Sequence, residues 1–166
     1  MKSLITVAAA LVLLSGCSGA PVSHMDHPVY ENMKYAPAVN WHTLEAGREM
    51  ALMEKKPCLV DFAVPVDCDR CDFLQENVYS KEEIVAKINA EFVPVLIDLS
   101  GKLTPEEMAL GEKYDFQNDC LMLFLNHEGE VIKDPEGTQM CFADQIGPEA
   151  FMEYLDYVVK EYLPGK

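Results

Sequence analysis

Cys68-Asp69-Arg70-Cys71 is the segment of this sequence best suited to chemistry. Two cysteines with two residues between them bring both sulfurs together on the first turn of a helix without unwinding it. Such a pair can shuttle between dithiol and disulfide, stay as a permanent disulfide, or supply half of a zinc site. At a helix N-terminus, unpaired backbone N–H groups and the helix dipole stabilise a thiolate. Local charge opposes that effect. Asp67, Asp69 and Asp72 crowd the pair, and only Arg70 is of the other sign. Carboxylates near a thiolate raise its pKa, and a destabilised thiolate favours the disulfide. The couple is therefore expected to be reducing, suited to reduction or isomerisation and not to oxidation.

The elements around the pair follow from pattern. Asn40 can cap a helix from Trp41, ended by Lys55-Lys56-Pro57. Residues 58–63, Cys-Leu-Val-Asp-Phe-Ala, are an apolar, partly β-branched and aromatic run expected to form a buried strand. A loop with Pro65 leads to the cysteine pair and a helix reaching about Val78. A second helical segment spans 80–91, with Ser80 as cap and Glu83 three residues on. Residues 92–99 form another buried strand, and Thr104-Pro105 opens a helix. A strand over 121–125, a turn at 126–129, a returning strand from Val131 and a helix from Gly147-Pro148 to Tyr162 complete the chain. Alternating helix and strand predicts a layered α/β domain with a central sheet.

Three segments together resemble the thioredoxin superfamily: Lys56-Pro57-Cys58-Leu59-Val60-Asp61-Phe62, the Cys68-x-x-Cys71 pair, and Phe92-Val93-Pro94-Val95-Leu96-Ile97-Asp98. The likeness is closest to exported thioredoxin-like proteins with a helical N-terminal extension, and it runs over residues 41–163. It implies a central mixed β-sheet flanked by helices. It makes Cys68 the exposed attacking thiol and Cys71 the resolving one. Asp61 resembles the family's buried acid, which exchanges protons with the resolving cysteine; the alternative is a strand-end acid facing solvent. Two departures stand out. Asp67 replaces the usual Trp before the first cysteine, and Cys120 falls where the family has a cis-proline facing the active site. Cys120 would thus bring a third sulfur to the substrate groove.

Antiparallel return after the 126–129 turn brings Cys141 back toward the start of the Cys120 strand. The two are candidates for a second disulfide. As alternatives, Cys68, Cys71, Cys120 and Cys141 hold copper, zinc or an iron–sulfur centre, or Cys120 and Cys141 are buried free thiols. No fixed ligand spacing supports a metal, so no cofactor is expected. Cys58, inside a strand, reads as an inert core thiol. His24-Met25-Asp26-His27 reads as polar linker, and His42 and His127 as surface residues.

The chain begins with Lys2, a short apolar run over 4–14 and Leu14-Ser15-Gly16-Cys17. The run is too short for a membrane span and reads as a secretory signal. The ending resembles the bacterial lipobox, which implies cleavage before Cys17 and lipid attachment there. Residues 1–16 are thus expected to be a signal, 17–39 a lipid-anchored flexible tether, and 40–166 the domain. Ser18 fits outer-membrane sorting in a cell envelope, with the domain facing the periplasm. Export places the domain where disulfides persist. Five cysteines remain beside Cys17, so at least one thiol stays unpaired within a single chain. The net charge of −15, which becomes −16 without Lys2, argues against nucleic acid as a partner. The expected partners are thiols or disulfides of exported proteins, with a membrane electron donor to restore the dithiol. The alternatives are a metal-binding or metal-delivery protein and a non-catalytic binding module of the same fold.

Overall fold

A computed structural model describes residues 35–64, 68–114, 116, 122–142 and 144–163. The expected signal, Cys17, the 24–27 histidine segment and Cys120 lie outside them. The described helices are α1 (Leu44–Glu54), α2 (Asp69–Asn77), α3 (Glu82–Glu91), α4 (Pro105–Lys113) and α5 (Pro148–Tyr162). The strands are β1 (Cys58–Ala63), β2 (Val93–Asp98), β3 (Met122–Leu125) and β4 (Cys141–Phe142).

The sheet order is β2-β1-β3-β4. β1 runs parallel to β2 and antiparallel to β3, and β4 pairs antiparallel with β3. All six residues of β1 are buried, Asp61 included, as the sequence predicts for a buried strand, and the strand lies inside the sheet. Alternate side chains then feed two cores. Leu59, Ala63, Leu96, Met122 and Phe124 face α2, α3 and α5, packing with Leu74, Ile88 and Phe151. Cys58, Val60, Phe62, Val95 and Leu123 face α1 and α4, with Leu44 and Ala51. Each large apolar side chain so buried contributes about 1.5–3 kcal/mol. The result is three layers with the sheet in the middle.

β2 contains Pro94, which has no N–H to give to a ladder. It is tolerated because β2 lies at the sheet's edge. The edge is covered by the segment before α1: His42 N–H donates to the Pro94 carbonyl (2.9 Å), and Leu96 N–H donates to the His42 carbonyl (3.1 Å). This pairing displaces the expected helix start. α1 begins at Leu44, capped by the Thr43 side chain accepting from Ala46 N–H, and not at Trp41 behind Asn40. Leu52 of α1 is exposed, while Trp41 is buried in the segment before the helix.

The packed domain also starts earlier than expected. Tyr35, Ala36 and Val39 are buried, although the sequence assigns residues up to 39 to a tether. The Ala36 N–H donates to the Gln75 side chain (3.1 Å), and Asn89 of α3 bonds Asn40 N–H and the Ala38 carbonyl, both at 2.9 Å. The Trp41 indole N–H donates to the Ala36 carbonyl. α3 likewise lacks its expected Ser80 cap, since the Ser80 hydroxyl turns back to the Glu76 carbonyl (2.6 Å). α4 opens at Thr104-Pro105 as the sequence predicts, and Glu107 closes a capping box with Thr104. The return after the 126–129 turn makes only single bridges at Val131 and Lys133, and β4 carries the regular pairing.

Gly47 sits where α1 presses onto β2, and a Cβ there would overlap the Val95 side chain. Val95 is fully buried and cannot move aside. Gly47→Ala is therefore expected to destabilise the chain by about 1–3 kcal/mol through overpacking, although alanine favours a helix by up to about 1 kcal/mol. Urea unfolding checks this. A neutral or stabilising result would contradict the close helix–sheet contact.

Candidate redox site

Cys68 is the N-cap of α2, in extended backbone conformation, and its Sγ accepts from the Cys71 N–H (3.1 Å). The Cys68 carbonyl accepts from Asp72 N–H (3.0 Å), which starts the helix. Cys68 and Cys71 are joined in a disulfide, with Cα atoms 5.2 Å apart. The two sulfurs differ in environment. Cys71 is 2% exposed and belongs to the core on the α2–α3–α5 face, whereas Cys68 is half-buried at its margin. A reagent from solvent can meet Cys68 and not Cys71.

Asp61 lies on the face of β1 turned toward the same core, between Leu59 and Ala63. It is fully buried and not a solvent-facing strand-end acid. Its Oδ2 accepts from the Tyr35 hydroxyl (2.7 Å) and the Tyr79 hydroxyl (2.8 Å). Its Oδ1 pairs with Arg70 Nη1 at 3.3 Å, and Arg70 is itself only 8% exposed. The two phenols are pushed up by burial, and further by the Asp61 charge beside them, so both stay protonated and act as donors. Tyr35, Trp41 and Tyr79 pack ring against ring around this cluster, with centroids 5.6–6.2 Å apart.

Asp69 and Asp72, expected to crowd the pair, are both exposed. Water screens their effect on the sulfurs. Arg70 has the reverse placement and points into the core. Asp67 lies outside the described residues.

The other cysteines are held apart from this site. Cys141 packs on the α1–α4 face of the sheet, opposite Cys68 and Cys71. It is disulfide-bonded, and its partner lies outside the described residues. The four-sulfur metal set is therefore not brought together through Cys141, because the sheet separates the two faces. Among the described residues no group of three or more His, Cys, Asp or Glu side chains is placed to hold a metal ion. Cys58 is a buried free thiol at the far end of β1, as expected of a core thiol. Burial pushes it up to about 12, so it stays protonated and unreactive at neutral pH. The cleft beside it, lined by Arg48, Asn126 and His127, lies at the opposite end of β1 from the disulfide.

Arg70, Tyr35 and Tyr79 were not singled out as site residues by sequence reasoning. One signal was available for Arg70: with Leu74 and Val78 it falls at positions i, i+4 and i+8, on the buried stripe of α2.

A parallel pair β1–β2, an antiparallel β3–β4 extension, helices on both faces and a disulfide at the N-terminus of the helix after β1 define a thioredoxin-like α/β fold. Among solved structures, the chain is similar to one described as DsbH oxidoreductase, with TM-score 0.54 and 16% identity over 87% of this chain and 96% of that one. It is also similar to a thioredoxin from Thermus thermophilus (0.51, 17%, covering 73% and 87%). A third is a disulphide isomerase from Xylella fastidiosa Temecula1 (0.51, 19%, covering 70% and 88%). Identities this low establish the shared fold. Neither a family model nor a curated protein matches the sequence.

The Asp61–Arg70 pair yields a specific expectation. Removing either partner alone leaves a buried charge without its counter-ion, at about 3–5 kcal/mol. Asp61→Leu and Arg70→Met are each expected to destabilise the oxidised chain by about that much. The double variant should lose less than the sum, by at least about 1 kcal/mol. Denaturant unfolding of the four proteins measures the cycle, and strict additivity would contradict the pairing.

Proposed function

We infer that this chain is a thiol–disulfide oxidoreductase acting on exported proteins. The observation that carries the reading is the asymmetry of the disulfide: a half-buried cysteine at a helix N-cap bonded to a cysteine buried in the core. That arrangement suits a two-step exchange. The Cys68 thiolate attacks a substrate disulfide, forming a mixed disulfide and releasing one substrate sulfur, which takes up a proton. Cys71 then loses its proton and attacks the Cys68 sulfur. The internal disulfide forms, and the second substrate sulfur leaves and is protonated. Two electrons pass from the dithiol to the substrate, and a membrane electron donor must return them.

The structural neighbours named as an oxidoreductase and a disulphide isomerase support this class of chemistry. The reductase-like or isomerase-like poise rests on the acid-rich sequence around the pair, of which the exposed Asp69 and Asp72 contribute only a screened part. The lipobox-like start supports attachment through a lipid on Cys17, in a periplasm-facing position in the cell envelope. No helix among the described residues is long and apolar enough to cross a membrane. A metal-binding reading would have to draw its ligands without Cys141, which faces away.

The test is trapping. Reduced Cys71→Ala is incubated with excess oxidised glutathione, and the adduct is located by mass spectrometry. A stable mixed disulfide at Cys68 is expected, and the wild-type chain should pass through it without accumulating it. Absence of any Cys68 adduct in the Cys71→Ala chain would rule out exchange by this pair.

A further inference from the structure

Among the described residues, two buried donors of Arg70 find no acceptor: its Nη1 reaches Asp61, but Nε and Nη2 have no hydrogen-bond partner there. A buried unsatisfied donor costs about 1–3 kcal/mol, and more when charged. Arg70 directly precedes Cys71 on α2, and Cys71 shares a buried layer with Tyr35 and Tyr79, the other partners of Asp61. The structure described is oxidised, so its sulfurs are neutral. Reduction changes that. When an external dithiol opens the Cys68–Cys71 bond, its own two sulfurs join, two electrons enter the pair, and two protons are shared between the freed sulfurs and water. Whenever Cys71 lacks its proton, as the resolving step requires, one negative charge stands in this layer, away from water.

We propose that Arg70 is the positioning residue for the resolving step, its two unpaired buried donors serving as counter-charge to the Cys71 thiolate. This rests on the exchange reading above, and it reassigns the preparation of Cys71. Asp61 is already engaged by three donors, so its part is to hold Arg70 in the layer. The pair then needs no separate base, because the cation lowers the cost of the thiolate and the proton goes to the departing substrate sulfur. Among the described residues, the charged and titratable groups facing this layer are Asp61 from β1, Tyr35 from the leading segment, Tyr79 from the turn after α2, and Arg70 from α2 itself, with Cys68 at its margin and Tyr154, Tyr157 and Tyr162 of α5 packed against the same core. Asp69 and Asp72 lie on its exposed side. Of these groups only Arg70 is positive. It also makes the couple less reducing than the acids alone would, because it stabilises the reduced form.

The test follows the Cys71 thiol directly. In a Cys68→Ala full chain, Cys71 alkylation is measured against pH by peptide mass spectrometry. Limited access slows the reaction equally at all pH values and leaves the inflection unchanged. Adding Arg70→Gln is expected to raise the inflection by about one unit or more, which slows alkylation at pH 7 by about tenfold or more. Arg70→Lys should restore the rate to within about threefold. If Arg70→Gln does not fold, Asp61→Asn is used instead; it leaves the Arg70 charge unopposed, and the inflection is expected to fall. An inflection that does not rise in folded Arg70→Gln, or that does not fall in Asp61→Asn, overturns the proposal. The wild-type chain is tested in parallel for exchange with glutathione. Its inertness would sink the oxidoreductase reading while leaving the Cys71 titration to be judged on its own.

Discussion

A fully buried carboxylate must be held by donors, and Asp61 is held by three from three different parts of the chain. Tyr35 comes from the segment before α1, Tyr79 from the turn after α2, and Arg70 from within the cysteine motif. Leaving this charge unpaired would cost several kcal/mol, so the contacts tie the leading segment, β1 and α2 into one unit. The disulfide rides on that unit. Because Arg70 lies between the two cysteines, the ion pair also fixes how the first turn of α2 sits over the sheet. The polar cluster is walled by Trp41 and the two tyrosine rings, which keep it in a low-dielectric setting where its charges act strongly.

This arrangement separates two kinds of charge around the sulfurs. The acids of α2 point to water, where they set the surface field and are screened. The one cation of the motif points inward, where screening is weak. Composition alone weighs Asp67, Asp69 and Asp72 against a single arginine, but position reverses much of that weighting at Cys71. The sheet adds a second separation. Cys68 and Cys71 occupy one face, while Cys58 and Cys141 pack on the other. Thiols that are numerous in the sequence thus act in different compartments of the same small domain.

Much of the fold was legible because strong local signals agreed with the tertiary outcome. The apolar run of β1 marked a buried strand, Thr104-Pro105 marked a helix start, and the cysteine pair after a Val-Asp-Phe strand marked the candidate site. The failures have physical causes. Asn40 is a good cap in isolation, but the edge left open by Pro94 recruits His42 into pairing and moves the helix start to Leu44. Residues 35–39 lack any helical or strand period, so nothing local reveals that they pack. Their burial depends on Asp61, Gln75 and Asn89, all distant in sequence. Arg70 was weighed only as a charge opposing the acids, and nothing in its type signals burial, because charged residues are seldom buried. Only its partner, nine residues earlier in the next layer, makes its burial tolerable.

The most direct test of the account is a redox titration of the full chain. It is equilibrated in graded dithiothreitol and glutathione buffers, quenched in acid and alkylated, and the Cys68–Cys71 peptide is weighed. The account predicts that both cysteines convert together along a single two-electron curve, at a potential more negative than the roughly −120 mV of a strong oxidase. A pair that stays locked across the series, or that reacts only after a chelator is added, would contradict it.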